Sequence, residues 1–166
     1  METGNAARSI LYIEGDATAP GGGGQKIVVH ICNDIGKWGK GFVMALSRRW
    51  KEPEQAFRAA YARTPRPALG EVQFVRVPDS ITVANVIGQH GITPDAKGTP
   101  PIRYEAVRAG LEKVAAHALE LGASVHMPRI GCGLAGGSWD KIGPIVEETL
   151  AKRGIDVTVY DFGSRK

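Results

Sequence analysis

The chain has 166 residues, of which 43% are hydrophobic and 23% charged, as expected for one globular domain. No apolar run approaches the ~20 residues that cross a bilayer, and the N-terminus lacks a signal-peptide pattern. We therefore expect a cytoplasmic protein without membrane contact. The net charge of +4 and the pI near 9.2 favour a phosphate-rich ligand, but the basic residues are dispersed, so nucleic acid is the less favoured partner. The two cysteines lack metal-ligand spacing, and no metal site is expected.

Six short apolar segments are predicted to be strands. The second is a β-branched run typical of a buried central strand. In chain order the predicted strands are Ile10–Ile13, Lys26–Cys32, Val72–Val77, Thr82–Ile87, Ser124–Met127 and Val157–Phe162.

Four segments between the strands are predicted to be helices. Apolar residues recur at helical spacing from Tyr104 to Leu121, and Gly122 stands where a C-terminal cap is expected. Ser138 can cap a helix that runs to about Lys152. The remaining two predicted helices are Gly41–Trp50 and Pro53–Ala62. Helices that follow strands predict a largely parallel sheet covered on both faces, with ligands at the carboxyl ends of its strands.

A first glycine-rich loop, His30–Phe42, joins a predicted strand to a helix. Glycine lets a ligand approach the backbone closely, and the unpaired N–H groups of a helix N-terminus suit a diphosphate. A second such loop, Met127–Asp140, also joins a strand to a helix. Its GxGxxG pattern from Gly131 matches a dinucleotide fingerprint but lies too late in the chain for a Rossmann domain. The two loops together predict a site that holds a diphosphate from both sides.

The sequence resembles the macrodomain superfamily, on "GDAT" at Gly15–Thr18, the Asn33–Phe42 loop and "MPRIGCGL" at Met127–Leu134. It is most similar to the branch with the terminal ADP-ribose protein glycohydrolase and the yeast ADP-ribose-1″-phosphate phosphatase. The resemblance implies an α/β three-layer sandwich, with a mixed, largely parallel sheet and helices on both faces. It also implies one domain over residues 1–166, with its core at about 9–162. The implied ligand is ADP-ribose, with no further cofactor.

The resemblance assigns residues along the ligand. Asp16 would accept a hydrogen bond from the adenine amino group, or simply form a turn; Asn33 would lie beside the distal ribose. Tyr160 or Phe162 would contact adenine or pack in the core. Trp38 would cap the distal ribose or shield its loop. The full set implied to bind ADP-ribose is Asp16, Ala17, Asn33, Gly39, Lys40, Gly41, Phe42, Ile130, Gly131, Cys132, Gly133, Leu134, Ala135, Tyr160 and Phe162.

Two positions depart from the glycohydrolase branch. Ala135 stands where that branch has a catalytic aspartate, and Gln89 stands near its lysine nucleophile. Neither residue can perform those roles. The candidate groups for a water-mediated hydrolysis are instead Asn33, Asp34, Gln89 and His90, although Asp34 and His90 are also ordinary loop residues.

Three functions therefore remain open. The favoured hypothesis is a monomeric hydrolase that removes ADP-ribose from mono-ADP-ribosylated proteins, with phosphatase action on ADP-ribose-1″-phosphate as a variant. The second is a non-catalytic ADP-ribose reader. The third is binding of a related nucleotide or of nucleic acid.

Overall fold

A computed structural model describes residues 6–162 of the chain. These residues form six strands and four helices in the order β1-β2-α1-α2-β3-β4-α3-β5-α4-β6, and a 3-10 turn, Ala151–Arg153, precedes the last strand. The strands are β1 Leu11–Glu14, β2 Lys26–Asn33, β3 Val72–Val77, β4 Ile81–Gln89, β5 Ser124–Met127 and β6 Val157–Asp161. The helices are α1 Phe42–Arg49, α2 Glu52–Arg63, α3 Tyr104–Leu121 and α4 Trp139–Thr149.

The strands form one mixed sheet in the order β1-β6-β5-β2-β4-β3. All neighbouring pairs are parallel except β3 and β4, which are antiparallel. Five strands therefore end at the same side of the sheet, which we call the carboxyl edge. The predicted fold class, an α/β sandwich with a mixed, largely parallel sheet, is confirmed.

Helices cover both faces of the sheet because alternate strand residues point to opposite sides. Ile27 and Val29 of β2 pack into a core with α3 and α4. Val28 and Cys32 of the same strand pack with α1 and α2. The β-branched run predicted to be a central strand thus has neighbours on both faces.

The helix boundaries follow local signals. Helix α3 has the predicted bounds, and Gly122 caps it in the left-handed conformation with φ 66°. Ser138 caps α4, where its hydroxyl accepts a hydrogen bond from Asp140 N at 3.1 Å. The predicted extension of α4 to Lys152 is wrong, because the chain changes to the 3-10 turn after Leu150. No helix within residues 6–162 is both long and apolar enough to cross a bilayer.

The two central strands run further than predicted. The pairing of β2 with β4 continues to Asn33 and Gln89, after a register shift between Cys32 and Asn33. Asn33 and Gln89, two of the four candidate catalytic residues, are therefore strand residues and lie opposite each other. This pairing is non-local, and no pattern within either segment indicates it.

Candidate ADP-ribose site

Four loops meet at the carboxyl edge. They follow β1, β2, β4 and β5 at residues 15–25, 34–41, 90–103 and 128–138. The first and second glycine-rich loops approach closely, since a Cβ atom on Gly41 would lie 3.5 Å from Cδ1 of Leu134. The loop after β4 joins the second glycine-rich loop through a 3.1 Å hydrogen bond from Ile102 N to the Ala135 carbonyl. The two predicted loops thus lie together, as the diphosphate hypothesis requires.

The Asn33 side chain organises the first glycine-rich loop. Its Oδ1 accepts hydrogen bonds from the N–H groups of Ile35 and Lys37, both at 3.0 Å. Its Nδ2 donates to the Lys37 carbonyl at 2.8 Å. One amide hydrogen is left over, so Asn33 shapes the loop and retains a single donor for a ligand or water.

The end of the first loop is open to a ligand. No atom lies within 4 Å of the Cβ position of Gly39 outside its neighbours, and Gly41 has φ 81° just before α1. Within the described residues no side chain caps α1, and its first turn has no acidic residue. The N–H groups and the positive dipole end of α1 therefore suit an anion. Lys40 is exposed beside them.

Trp38 is packed beneath the first glycine-rich loop. Only 6% of its surface is exposed, its Nε1 donates to Ser47 Oγ at 2.8 Å, and its ring packs against His30 and Phe57. Of the two alternatives left open by the sequence, packing is the one that the structure supports.

Asp34 and His90 form a hydrogen-bonded pair between the ends of β2 and β4. Nδ1 of His90 lies 2.7 Å from Oδ2 of Asp34, and Gly91 N–H donates to Oδ1 at 2.8 Å. The Asp34 side chain is 8% exposed, whereas that of His90 is 54% exposed. Because a carboxylate accepts from Nδ1–H, Nε2 of a neutral His90 carries the lone pair.

The electrostatics of this pair favour an ionised carboxylate. Burial raises the pKa of Asp34, but the hydrogen bonds from Gly91 N–H and His90 outweigh this effect and leave the pKa below its ordinary value. A buried carboxylate that orients an exposed imidazole is the arrangement of a general base with its supporting group. Both residues are candidates from the sequence, but the sequence does not predict that they pair.

Gln89 supports the same loop. Its Nε2 donates to the Gly91 carbonyl at 3.0 Å, while His90 N–H donates to the Pro101 carbonyl at 2.8 Å. Pro100 also lies against Gly136 of the second glycine-rich loop. The Pro100-Pro101 segment is a wall of the site that our sequence reasoning missed, although its two adjacent prolines are a signal for a rigid extended segment.

The second glycine-rich loop is tightly closed at its base. Gly131 has φ 72°, and Gly137 N–H donates to the Gly131 carbonyl at 2.7 Å. At the tip, by contrast, no atom lies within 4 Å of the Cβ position of Gly133, and Leu134 is 67% exposed. A base closed by hydrogen bonds and a tip with open space suit the approach of a diphosphate to the backbone.

Not every predicted residue of this loop offers its side chain. Ile130 and Ala135 are 2% and 5% exposed and pack in the core, so only their backbone can reach a ligand. Burial raises the pKa of the Cys132 thiol and outweighs the opposite effect of Arg129. Cys132 is therefore a poor nucleophile at neutral pH, because the thiolate is the reactive form. This agrees with its interpretation as a small residue that lets a ligand approach the backbone.

Two polar contacts that the sequence did not reveal hold the second loop. Ser138 N–H donates to the Tyr104 hydroxyl at 3.1 Å. The Arg129 guanidinium makes two hydrogen bonds to the Asp161 carboxylate, at 2.7 and 3.1 Å, and lies over the ring of Tyr12 at 5.2 Å. Arg129 thereby ties the second loop to the end of β6.

The loop after β1 forms the remaining end of the site. Oδ1 of Asp16 accepts hydrogen bonds from Thr18 N–H at 2.9 Å and from the Thr18 hydroxyl at 2.7 Å, so Asp16 forms the turn that was its alternative role. These bonds leave Oδ2 for a ligand. Ala17 is buried beneath the turn, and Arg49 donates to the Thr18 carbonyl at 2.5 Å.

The two candidate aromatic residues differ in exposure. Tyr160 is 5% exposed, and its hydroxyl lies 2.7 Å from Nδ1 of His126. These contacts favour core packing over contact with adenine. Phe162 is 67% exposed just beyond β6. Phe162 is thus the more exposed of the two candidate aromatic residues. Phe42, at the start of α1, is half-buried against His30.

Two cavities border the sheet. One, of about 300 Å³, is at the opposite side of the sheet near Gln25 and Ser124. The other, of about 230 Å³, lies between α2 and β3. Residues 6–162 contain no group of three or more His, Cys, Asp or Glu side chains arranged to hold a metal ion.

Close matches over almost the whole chain include two known structures. A protein of unknown function from Bacteroides thetaiotaomicron is 59% identical with a TM-score of 0.92, covering 94% of this chain and 99% of that one. A macrodomain protein from Streptomyces coelicolor is 52% identical with a TM-score of 0.82, covering 93% and 100%.

No protein-family model matches the chain, but curated proteins do. Mouse chromodomain-helicase-DNA-binding protein 1-like is 32% identical over 167 aligned residues, which cover 95% of this chain and 18% of that protein. Bovine ADP-ribose glycohydrolase OARD1 is 41% identical over 58 residues, 34% of this chain and 38% of that protein. The chain thus matches less than two fifths of either relative. Given the match to the Streptomyces structure over nearly all of both chains, this chain belongs to the macrodomain superfamily, near the branch of the terminal ADP-ribose glycohydrolase.

Proposed function

We propose that the carboxyl edge binds ADP-ribose, with adenine near β6 and the distal ribose near β4. Strands β6 and β4 are three strand spacings apart, about 14 Å, a span suited to an extended nucleoside diphosphate sugar. The exposed ring of Phe162 and Oδ2 of Asp16 would receive adenine. The N-terminus of α1 and the tip at Gly133 and Leu134 would hold the diphosphate.

We further propose that the protein hydrolyses ADP-ribose derivatives and removes ADP-ribose from modified proteins. The Asp34–His90 pair carries this proposal, because it lies where the distal ribose would end. Nε2 of His90 would take a proton from a water molecule as the water oxygen bonds to the anomeric carbon. The bond from that carbon to the acceptor breaks, and a modified Glu or Asp leaves as a carboxylate with the bonding electrons. Asp34 would stabilise the imidazolium that forms, and the proton then passes to solvent.

This route differs from a lysine–aspartate mechanism. Ala135 is buried and apolar where the related branch has an acid, and the Gln89 amide is bonded within its own loop. The same departures favour the second candidate, a reader that binds ADP-ribose without turnover. Action on ADP-ribose-1″-phosphate would use the same pair and remains a variant of the hydrolase.

Calorimetric titration with ADP-ribose and turnover of mono-ADP-ribosylated peptides test the proposal. Loss of a general base costs about 10²–10⁴-fold in rate. We expect His90→Gln to lower kcat by at least a hundredfold and to leave the Kd for ADP-ribose within threefold.

His117→Gln is the matched control, because His117 lies on α3 and stacks on Phe74 away from the carboxyl edge. It should retain full turnover. Tight ADP-ribose binding without turnover of modified Glu, Asp or Ser, or of the phosphorylated analogue, would make the protein a reader. Absence of ADP-ribose binding would overturn both functions.

A further inference from the structure

The cavity of about 230 Å³ beside α2 is placed next to the distal end of the proposed site. It is lined mainly by apolar groups, from Phe57, Ala60, Tyr61, Pro67, Val72 and Ile87, and Glu71 and Gln73 complete the lining. A nucleotide-sized ligand needs a pocket of roughly 300–1,000 Å³. This cavity therefore suits one apolar side chain.

Topology brings the cavity to the carboxyl edge. Because β3 is antiparallel to β4, its first residue, Val72, pairs with Val86 near the end of β4. Ile87 lies three positions before His90. On the other side, the Tyr61 ring packs so closely on Gly36 that a Cβ there would lie 2.7 Å from Cδ2, and Gly36 is two residues beyond Asp34.

An acceptor protein must leave the site on this side. In the proposed pose the diphosphate extends from the distal ribose toward β5 and β6, so the acceptor, joined to the anomeric carbon, extends over β4 toward β3. The cavity lies about one strand spacing further along that path, about 5 Å. Two exposed arginines, Arg63 and Arg66, stand at the end of α2 and in the turn that follows, and they outnumber the acidic Glu71 of the cavity lining. This balance favours a chain that carries carboxylates.

We propose that this cavity binds an apolar side chain of the modified protein, close in sequence to the ADP-ribosylated residue. The inference rests on the proposed function and adds substrate selection to it: the enzyme prefers modified acidic segments that carry a neighbouring leucine or similar residue. Complete burial of a leucine side chain corresponds to about a tenfold to hundredfold gain in binding.

The test is a set of mono-ADP-ribosylated peptides in which a leucine replaces alanine at each position around one modified glutamate. For wild-type protein we expect one leucine position to raise kcat/KM by at least tenfold through a lower KM. Equal kcat/KM across the set would overturn the inference, even if every peptide is hydrolysed.

Ala60→Phe fills the cavity, and Ala59→Phe, on the exposed neighbouring position of α2, is its matched control. Ala60→Phe should abolish the leucine preference and leave the Kd for free ADP-ribose unchanged, while Ala59→Phe retains the preference. A preference that survives in a folded Ala60→Phe protein would place the peptide elsewhere and contradict the inference. Failure of ADP-ribose binding and of all turnover would instead refute the proposed function itself.

Discussion

Substitution of Gly133 by glutamate tests whether the open tip of the second glycine-rich loop holds a diphosphate. No atom lies within 4 Å of its Cβ position, and its φ is outside the left-handed region, so the substitution has no steric cost in the free protein. The glutamate would block the approach to the N–H groups of Gly133 and Leu134 and add a negative charge beside a dianion. Each hydrogen bond to a charged group is worth about 1.5–3 kcal/mol, so losing two costs at least about 3 kcal/mol.

The expected result is an ADP-ribose Kd at least about a hundredfold higher, measured by calorimetric titration, with an unchanged thermal unfolding midpoint. Gly23→Glu is the matched control, because Gly23 has equally open space and lies in the connection to the N-terminal end of β2. It introduces the same charge and should leave the Kd unchanged. An unaltered Kd in Gly133→Glu would mean that the ligand binds elsewhere, and equal weakening by both variants would indicate only a general charge effect.

Three further predictions concern stability and chemistry. Gly137→Ala should lower the free energy of unfolding in urea by about 1–3 kcal/mol, because its Cβ would meet the Gly131 carbonyl oxygen. An unchanged free energy of unfolding would contradict the close contact between Gly131 and Gly137 at the base of the loop. Burial lowers the pKa of His126 to about 4, so the unfolded state binds the extra proton, and stability should fall by up to about 3 kcal/mol as pH falls from 6.5 to 4. His126→Gln should flatten that part of the pH profile, and an equally steep profile would contradict this. Cys132→Ser should retain turnover within about twofold, because burial raises the thiol pKa; a loss of a hundredfold or more would reinstate a cysteine nucleophile.

The fold could be predicted from the sequence because its signals are local. The β-branched run of β2, the apolar stripe of α3 and the cap at Gly122 each lie within one segment, and each appears in the structure with at most small shifts at its ends. The turn glycines were also informative, since Gly131 needs the positive φ that favours glycine.

The arrangement of the site was less predictable because it depends on contacts between distant segments. Asp34 and His90 are 56 positions apart and meet only because β2 and β4 pair to their ends beyond a register shift. The Arg129–Asp161 ion pair similarly joins the ends of β5 and β6. The residue types were visible in the sequence, whereas their partners followed from the strand order.

A structural role and a catalytic role for the Asp34–His90 pair predict different experimental results. Asp34 is buried and accepts two hydrogen bonds, so Asp34→Asn should lower both stability and turnover and cannot separate the roles. His90 is half-exposed, and its backbone rather than its side chain bonds to the Pro101 carbonyl. A purely structural pair therefore predicts a modest effect of His90→Gln on every property. A catalytic pair predicts that His90→Gln causes a large loss of kcat at nearly unchanged stability and ADP-ribose affinity. The two kinds of property differ because the exposed His90 would act on water, whereas the buried Asp34 maintains the local structure.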